Sequence, residues 1–378
     1  MIAEGTLCVH PISSNKCKEP SITSPIYTST AYSYMDAEER LYPGFLSTFN
    51  QIRLGEVIAR LEGGDCGIAL NSGMAAISST ILSLVKEGDH IIFSRDLYGG
   101  TSQFATDELI QRGISCDFAE NTLYSFESKR QKNTRVVFFE SPTNPLLNII
   151  DLQEIALWAK KHELITIIDN TFATPINQKP LSFGIDIVVH SGTKYLSGHN
   201  DLVFGATVTN NTFYKESILS TAKLYGGALS PTLCYQAEKN IKTLDLRVQQ
   251  QNRSAMRIAS YLENHPRIKK VYYPGLRSHP SYQLAKRQMS AFGGMISFEL
   301  HEVAYLNPFL KNLIIIHPAL SLGGVESLIC VPAQTSHAAI SEKQRELLGI
   351  SEKLLRLSVG IENTDDLIHD IESALQCL

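Results

Sequence analysis

The sequence lacks the residue patterns that mark several common classes of protein. Its seven cysteines are scattered and form no C-x-x-C pair, and its eleven histidines form no H-E-x-x-H motif. We therefore expect structural thiols, no catalytic cysteine and no metal site. Neither G-x-G-x-x-G nor G-x-x-x-x-G-K-S/T occurs, which argues against the common nucleotide-binding loops.

A basic excess and a long apolar run are also absent. The 34 Lys and Arg residues face 38 Asp and Glu residues, for a formal net charge of -4, so nucleic acid is not an expected partner. No apolar run reaches the length of a membrane span, and the first residues, MIAEGTLCVHPISSNK, show no cationic segment followed by an apolar one. The sequence predicts a cytoplasmic protein with no membrane partner.

Short apolar runs rich in Ile, Val and Phe recur between helical patterns. They are HIIFS at 90, VVFFE at 136, ITIIDN at 165, IDIVVHS at 185 and VFGATVT at 203. Such runs are typical of strands buried on both faces of a mostly parallel sheet. The segment DLQEIALWAKKHE at 151 has apolar residues at helical spacing behind an N-cap aspartate. Together these features predict an α/β/α domain over residues 51–234.

A smaller α/β domain is predicted over residues 235–378. The segment CYQAEKNIKTLDLRVQQQNRSAMRIASYLENHP is interpreted as one long helix stopped by Pro266, and IKKVYYPG and GGMISFEL as the strands that follow. Residues 1–50 are rich in Ser, Thr and Pro and have little periodicity. This pattern predicts an extended N-terminal arm.

Two polar residues follow neighbouring predicted strands. Asp169 ends the ITIID run, and Lys194 comes just after IDIVVHS, within HSGTKYLSGHNDLVFG. Ligands of open parallel sheets bind beyond the carboxyl ends of the strands, where both residues are expected. Taken separately, Asp169 could be a turn residue and Lys194 a solvated surface residue. Taken together, they suggest an amine that condenses with pyridoxal phosphate (PLP) and a carboxylate that keeps its ring nitrogen protonated.

A third feature supplies the anion site that PLP needs. In LNSGMAAISSTILSLVKEG, Ser72, Gly73 and Met74 open an apolar-periodic helix, whose free N–H groups and dipole favour a phosphate. The alternative is that Ser72 is a plain N-cap. Ser191 and Thr193, which flank the lysine, are candidates to add hydroxyl donors to the same phosphate.

A series of longer motifs then occurs in order along nearly the whole chain. They are SGMAA (72–76), DLYGGT (96–101), ESPTNP (140–145), DNTFATP (169–175), SGTKYLSGHND (191–201), YPGLRSHP (273–280), SLGGVESL (321–328) and LRLSVGIE (355–362). The series resembles the cysteine and methionine metabolism (trans-sulfuration) family of PLP enzymes, which includes cystathionine γ-lyase, cystathionine γ-synthase and methionine γ-lyase. The resemblance implies a fold type I PLP-dependent transferase, with a large, mostly parallel, seven-stranded sheet and a smaller C-terminal α/β domain.

The resemblance also implies roles for individual residues. Lys194 would hold the cofactor and act as general base, Asp169 would pair with the ring nitrogen, and Tyr98 would stack on the ring and transfer protons. Further implied contacts are Asn144, Thr171 and Tyr42 for the cofactor, with Tyr42 also catalytic, and Asn144, Leu320, Ser321, Leu322 and Arg356 for the substrate. Arg356 would bind the α-carboxylate, a task that suits a bidentate guanidinium.

The implied activity is a PLP-dependent lyase that cleaves the C–S bond of a sulfur amino acid by β- or γ-elimination. The products are a thiol, ammonia and a 2-oxo acid. One alternative is a transferase that performs γ-replacement, as in cystathionine γ-synthase or O-acylhomoserine sulfhydrylase. Another, from a different class, is a cofactor-binding scaffold with little catalysis. The retained Lys194, Asp169, Tyr98, Tyr42 and Arg356 favour an enzyme.

The N-terminal arm departs from the family pattern. Family members usually carry Tyr-x-Arg there, reaching the phosphate of a neighbouring subunit, which implies a homotetramer built as a dimer of dimers. In RLYPGFLSTFNQIR, Tyr42 fits, but Gly44 stands in the place of the arginine, and an alignment shifted by one residue offers Phe45. Arg40 and Arg53 are the candidates to replace the missing cation.

A second departure concerns the substrate. Leu320 precedes Ser321 where family members that process cystathionine through its γ carbon often carry glutamate. An apolar side chain cannot pair with the distal ammonium of cystathionine, whereas it accepts a thioether methyl group. This tilts the expected preference toward methionine, homocysteine or cysteine, although Glu326 is close in sequence.

Overall fold

The computed structural model describes residues 2–10, 21–35, 40–338 and 341–378 of the chain. Its helices are α1 (Glu4–Val9), α2 (Phe49–Glu62), α3 (Gly73–Leu84), α4 (Gly99–Gln103), α5 (Leu123–Lys129), α6 (Leu152–Lys161), α7 (Thr174–Asn177), α8 (Thr212–Leu224), α9 (Pro231–Ile241), α10 (Leu244–Glu263), α11 (Tyr282–Gln288), α12 (Leu306–Asn312), α13 (Glu342–Leu347) and α14 (Thr364–Gln376). Shorter 3₁₀ turns cover Pro43–Phe45, Pro180–Phe183, Val303–Tyr305 and Pro332–Gln334, and a π turn, Phe104–Leu109, continues α4.

A seven-stranded sheet forms the centre of the larger part of the chain. Its strands are β1 (Cys66–Leu70), β2 (His90–Ser94), β3 (Ser115–Ala119), β4 (Thr134–Glu140), β5 (Ile165–Asp169), β6 (Ile187–Ser191) and β7 (Gly205–Thr209). They lie in the order β1-β7-β6-β5-β4-β2-β3, and β7 runs antiparallel to both of its neighbours while the other pairs are parallel. The predicted mostly parallel sheet is confirmed, and the sequence interpretation missed only the two edge strands, β1 and β3.

Helices cover both faces of this sheet, as the apolar strand runs predict. One core cluster joins α2 and α6 to the side chains of Val137, Ile168 and Val188. The other joins α3 and α8 to the opposite face, which includes Ile167 and Val189. The predicted N-cap of α6 is confirmed, because Asp151 accepts a hydrogen bond from the N–H of Glu154. The α/β/α arrangement therefore leaves the carboxyl ends of the strands as the open edge.

A second sheet lies in the C-terminal part of the chain. Its strands are β8 (Ile268–Tyr272), β9 (Met295–Leu300), β10 (His317–Pro318), β11 (Leu328–Cys330) and β12 (Leu354–Ser358), in the order β10-β11-β12-β9-β8. Apolar residues from this sheet pack with α10, α12 and α14 in a separate core cluster. The two sheets fall within residues 51–234 and 235–378, whose boundaries as domains stay predictions.

The prediction of one long helix ending before Pro266 is wrong. The helical pattern is interrupted between α9, which ends at Ile241, and α10, which begins at Leu244. The hydroxyl of Thr243 donates a hydrogen bond to the carbonyl of Asn240, at 3.1 Å. Threonine side chains compete with the helical backbone in this way, and apolar periodicity does not register such a local bond.

Part of the N-terminal arm also departs from the predicted extended conformation. Residues 4–9 form α1, in which Cys8 is buried in the core of the large sheet. Residues 21–35 have no regular secondary structure, and Asn50 holds them by hydrogen bonds with the backbone of Pro25 and Tyr27, at 2.8 and 3.0 Å. The other residues of the predicted arm, 1, 11–20 with Cys17 among them, and 36–39, lie outside the described residues. Over the described ranges, no helix is long and apolar enough to span a bilayer.

Candidate active site

Lys194 lies in a tight turn that follows β6. The N–H of Lys194 donates to the carbonyl of Ser191 at 3.1 Å, and the carbonyl of Lys194 accepts from the N–H of Gly198 at 2.7 Å. These bonds close the backbone around the lysine and leave its side chain to point across the sheet edge. There its Nζ donates to the hydroxyl of Ser321, at 2.9 Å.

Arg356 lies beside this lysine and comes from the C-terminal sheet. It is on β12, its side chain is buried, and its Nη1 donates to Oδ1 of Asn144 at 2.8 Å. Its Nη2 lies 3.4 Å from the carbonyl of Ser321. Of the predicted substrate residues, Arg356 therefore contacts both Asn144 and Ser321, and Ser321 contacts Lys194.

The surroundings of Lys194 disfavour the charged form of its side chain. Burial, and then the positive charge of Arg356, lower the pKa of Lys194 below its ordinary value. A lowered pKa makes the neutral, nucleophilic amine more abundant at a given pH. The surroundings of Lys194 therefore favour a neutral, nucleophilic amine over an ammonium group held in a salt bridge.

Asp169 and Glu140 end the neighbouring strands β5 and β4, and the sheet register pairs them directly. Burial, and then the charge of Asp169, raise the pKa of Glu140 well above its usual range. Burial also raises the pKa of Asp169, whose Oδ1 accepts from the N–H of Thr171 at 2.9 Å. Because the pKa of Glu140 is raised well above its usual range, while Thr171 donates to Asp169 from both its backbone and its side chain, we assign the negative charge of the pair to Asp169 and the proton to Glu140.

Tyr98 is held at the start of α4 by Glu140. Its N–H donates to Oε1 of Glu140 at 2.7 Å, and its side chain is half exposed. Its ring lies against Gly100, where a Cβ atom would come within 2.6 Å of Tyr98 Cε1 and 3.2 Å of Met74 Sδ. The ring therefore stands over the N-terminal end of α3, at the edge of the same space.

The N-terminus of α3 combines a cap with free backbone donors. Ser72 is its N-cap, as one of the two sequence interpretations has it, and its Oγ accepts from the N–H of Ala75 at 3.0 Å. The first N–H groups of a helix lack intrahelical partners, which leaves those of Gly73 and Met74. A Cβ atom at Gly73 would lie 2.8 Å from Cβ of Ser191, so glycine allows this helix end to meet the lysine turn.

The two threonines of the predicted site are engaged by backbone groups. Thr171 Oγ1 accepts from the N–H of Ser191 at 2.8 Å, which ties the end of β5 to the start of the lysine turn. Thr193 Oγ1 exchanges hydrogen bonds with the carbonyl and the N–H of Phe204, at 3.2 and 3.1 Å. Thr193 therefore braces the turn, and its single hydroxyl proton is directed at Phe204.

Among the described residues, three of the predicted ones make no hydrogen bond with this group. Tyr42 is half exposed and contacts Phe45, with ring centroids 5.1 Å apart, and Ser47. Leu320 is 66% exposed, although it is next to Ser321 in the chain. Leu322 is buried in the core cluster of the large sheet. In the described part of the chain, Tyr42 makes no contact with the Lys194 region.

Two residues near the site were missed by the sequence interpretation. Glu140 ends a strand just as Asp169 does, so the rule that identified Asp169 could have found it. His337 is buried in an irregular segment and has no comparable signal. Burial, and then the charge of Arg356, lower the pKa of His337 to about 4, so at neutral pH it is a neutral neighbour of Asn144 and Arg356.

The residues present fit pyridoxal phosphate. A reactive amine, a buried carboxylate at a strand end and a helix N-terminus with free N–H groups surround one sheet edge, and the glycine at position 73 keeps that helix end open. These are the groups that an aldehyde, a pyridine nitrogen and a phosphate require.

Comparison with known protein families agrees with this geometry. The family model described as Cys/Met metabolism PLP-dependent enzyme matches residues 5–376 of the chain. The chain is 43% identical over 359 residues to a cystathionine β-lyase of Lactococcus lactis subsp. cremoris, covering 94% of both chains. It is 41% identical over 374 residues to a cystathionine γ-lyase of Bacillus subtilis, covering 98% of both, and 39% identical over 370 residues to an L-methionine γ-lyase of Fusobacterium nucleatum, covering 94% of both.

Solved structures with the same fold include members with different reactions. The cystathionine γ-lyase from Lactobacillus plantarum complexed with L-serine matches with a TM-score of 0.96 and 38% identity, covering 100% of this chain and 99% of that one. The cystathionine γ-synthase from Xanthomonas oryzae pv. oryzae, in complex with aminoacrylate and cysteine, matches with a TM-score of 0.95 and 35% identity, covering 100% and 98%.

The repulsion between the charges of Lys194 and Arg356 gives a test that needs no bound cofactor. Arg356→Gln removes the charge that disfavours the ammonium form, so the pKa of Lys194 should rise toward its ordinary value. Competitive labelling of the cofactor-free protein with acetic anhydride across a pH series, read by peptide mass spectrometry, measures this pKa. Arg53→Gln is the control, because the Arg53 guanidinium pairs with Glu238. A pKa of Lys194 that is unchanged or lower in Arg356→Gln contradicts the assignment.

Proposed function

The chain belongs to the Cys/Met metabolism family of PLP-dependent enzymes, and we propose that it is a carbon–sulfur lyase of sulfur amino acids. The reaction is a β- or γ-elimination that releases a thiol, ammonia and a 2-oxo acid. The observation that carries the proposal is the arrangement of Lys194 and the buried Arg356 around Ser321, since an amine and a guanidinium are the groups that a cofactor aldehyde and an α-carboxylate require.

PLP is the cofactor of this family, and when bound it withdraws electrons from the α carbon of the amino acid. We assign its attachment to Lys194 and the charge opposite its ring nitrogen to Asp169, with Thr171 supporting that carboxylate. The phosphate contacts are assigned to the N-terminus of α3, from Ser72 to Met74, with the hydroxyl of Ser191, whereas Thr193 supports the lysine turn through Phe204. The further cofactor residues of this proposal are Tyr98, Asn144, Ser191, Thr193 and, from a neighbouring subunit, Tyr42.

The other steps of the proposed reaction are assigned to side chains of this chain. Arg356 binds the α-carboxylate of the substrate, and Asn144 fixes the orientation of its guanidinium through the 2.8 Å hydrogen bond. Lys194 would remove the α proton of the bound substrate, and the Ser321 hydroxyl holds the lysine amine in position through the 2.9 Å hydrogen bond. Tyr98 transfers a proton at the substrate amine or at the leaving sulfur.

The substrates follow from the relatives and from the distal end of the site. The names of the relatives point to cystathionine and methionine, and the exposed Leu320 offers no charge for a distal ammonium group. Glu326, the nearest acidic residue in this segment, accepts a hydrogen bond from Asn200 at 2.7 Å. The sequence-based preference for methionine, homocysteine or cysteine therefore stands as part of the proposal.

A second candidate reaction is γ-replacement. It is favoured by the TM-score of 0.95 to a cystathionine γ-synthase, since elimination and replacement need the same amine, carboxylate and guanidinium. Membership in a family of enzymes favours either reaction over a cofactor-binding scaffold with little catalysis.

Assembly as a homotetramer, a dimer of dimers, is part of the same proposal. Tyr42 is half exposed and lies apart from the Lys194 region of its own chain, which is the arrangement expected if the arm serves a neighbouring subunit. Of the two candidate replacement cations, Arg53 is paired with Glu238, whose carboxylate also accepts from Ser24, at 3.3 and 2.9 Å. The exposed Arg40 is therefore the better candidate. The cytoplasmic location stays a prediction.

The proposed function is tested by a substrate panel. Purified protein loaded with PLP should release thiol and 2-oxo acid from at least one of cystathionine, methionine, homocysteine and cysteine. It should also be assayed with an O-acylhomoserine plus cysteine to detect replacement. Lys194→Ala should lose the visible absorbance band of the attached cofactor together with turnover. An undiminished band and undiminished turnover in this variant would overturn the assignment of Lys194.

The substrate preference is tested at position 320. Leu320→Glu supplies a carboxylate for the distal ammonium, and the ratio of kcat/KM for cystathionine over methionine should rise by about threefold to fivefold, as expected of an exposed ion pair. Leu157→Glu is the matched control, because Leu157 has nearly the same exposure, 63% against 66%, and lies on α6. A ratio that is unchanged or lower would mean that position 320 does not contact the distal group.

The missing arginine is tested at position 44. Gly44→Arg restores the cation of the family pattern, and a charged hydrogen bond worth about 1.5–3 kcal/mol should slow PLP dissociation by at least about tenfold. A Cβ atom at this position would lie 2.8 Å from Tyr42 Cε1, so Gly44→Gln controls for the displaced ring. Equal PLP dissociation rates in the two variants would show that another group already supplies the charge.

A further inference from the structure

Arg247, on α10, is a buried cation whose described partners are all uncharged. Its Nη1 donates to the carbonyl of Tyr195 at 2.8 Å, and its Nη2 to the carbonyls of Asn240 and Leu196 at 3.1 and 3.4 Å. Its Nε donates to Oγ1 of Thr243 at 3.1 Å. Among the described residues, Arg247 takes part in no ion pair with a carboxylate.

Burying a cation among neutral partners costs folding free energy unless its donors are bound by hydrogen-bond acceptors. Burial lowers the pKa of Arg247 to about 10, which still leaves it charged at neutral pH. A guanidinium is planar, carries five donors in a fixed fork and is more weakly hydrated than an ammonium. It can therefore bind four groups on different sides at once, whereas the ammonium of a lysine has only three donors, all on one atom.

Two of these carbonyls belong to the residues that directly follow Lys194. The inner side of the lysine turn is closed by its own backbone, with the N–H of Ser197 on the carbonyl of Gly192, at 2.8 Å. The carbonyls of Tyr195 and Leu196 instead accept hydrogen bonds from the guanidinium of Arg247. Gly198 has φ +68°, and a Cβ atom there would lie 1.9 Å from Arg247 Nη1, so the guanidinium lies directly against the turn.

The other two partners come from the break between α9 and α10. The carbonyl of Asn240 would be bound by an N–H one turn later if the helix were continuous. Because the chain leaves the helical path at Lys242 and Thr243, this carbonyl accepts from Arg247, and the Thr243 hydroxyl orients Nε. The interruption between α9 and α10 thus supplies two of the four hydrogen-bond partners of Arg247.

We propose that Arg247 is a positioning residue for the reaction: it fixes the turn from Ser191 to Gly198 against the α9–α10 break, so that the amine of Lys194 stays at the Ser321 hydroxyl. This inference rests on the proposed function in one respect, the assignment of Lys194 as the residue that carries PLP. It adds a residue that acts through the backbone of the lysine turn, to which its guanidinium is bound.

The rate at which PLP attaches to Lys194 tests the proposal. The full-length protein is freed of PLP, PLP is added back, and the visible band is followed by stopped-flow absorbance across a pH series. Borohydride reduction and peptide mass spectrometry confirm that the amine of Lys194 is the one that has condensed with the PLP aldehyde. Melting temperatures of the cofactor-free proteins report folding separately, and wild-type loading and turnover test the proposed function by themselves.

The variants separate positioning from general stability. Arg247→Met should slow PLP attachment by about tenfold or more, because a small misplacement of a reacting group has large effects on rate. Thr243→Val should slow it by about threefold, the effect of one lost hydrogen bond, whereas Thr243→Ser keeps the hydroxyl and should restore the wild-type rate. Arg253→Met, an exposed arginine on the same helix, is the matched control.

Slower attachment in Arg247→Met and Thr243→Val, with unchanged melting temperatures and wild-type behaviour of Thr243→Ser, supports the proposal. Wild-type attachment rates in Thr243→Val and Arg247→Met overturn it. If Arg247→Met does not fold, the comparison of Thr243→Val with Thr243→Ser decides: equal rates in this pair overturn the proposal. If wild-type protein takes up PLP at a residue other than Lys194, the proposed function fails and the inference fails with it.

Discussion

The hydrogen bond between Lys194 and Ser321 joins two parts of the chain that are far apart in sequence, and the rest of the site is arranged around it. On one side, the seven-stranded sheet delivers the lysine at the end of β6. On the other, the segment before β11 delivers the hydroxyl, and β12 delivers the guanidinium of Arg356. Burial makes the amine reactive by disfavouring its charge, and the hydroxyl directs it. Neither sheet alone contains the whole site.

The sheet register explains how carboxyl groups reach this point together. Because β4 and β5 are parallel neighbours, Glu140 and Asp169 end side by side, and two buried carboxyls in such proximity cannot both be charged. Thr171 donates to one of them, and the N–H of Tyr98 donates to the other. The two carboxyls therefore have different roles. Asp169 keeps a negative charge in the site, and Glu140 holds the backbone of Tyr98.

Site residues could be predicted from the sequence where they lie at the end of a strand or at the start of a helix. Asp169 and Lys194 could be identified because parallel strands end at a common edge, and the start of α3 could be identified from Ser72 and the periodicity behind it. The sequence did not predict features that depend on a side chain bound to backbone far away in the chain. The α9–α10 break depends on Thr243 and Arg247, and the burial of His337 on a loop that packs against Arg356. Helix α1 was missed because six residues are too few to show a period.

The antiparallel course of β7 has a consequence for chain connectivity. Ser191 pairs with Gly205 across the β6–β7 ladder, so the connection that carries Lys194 leaves and re-enters the sheet at the same residue pair. Its two ends are fixed by the same ladder, and a Cβ atom at Gly205 would lie 2.0 Å from the carbonyl of Ser72. Circular permutation or peptide insertion is therefore least suited to this connection, although part of its surface is exposed. New termini belong in segments whose backbone is not shared with a ladder.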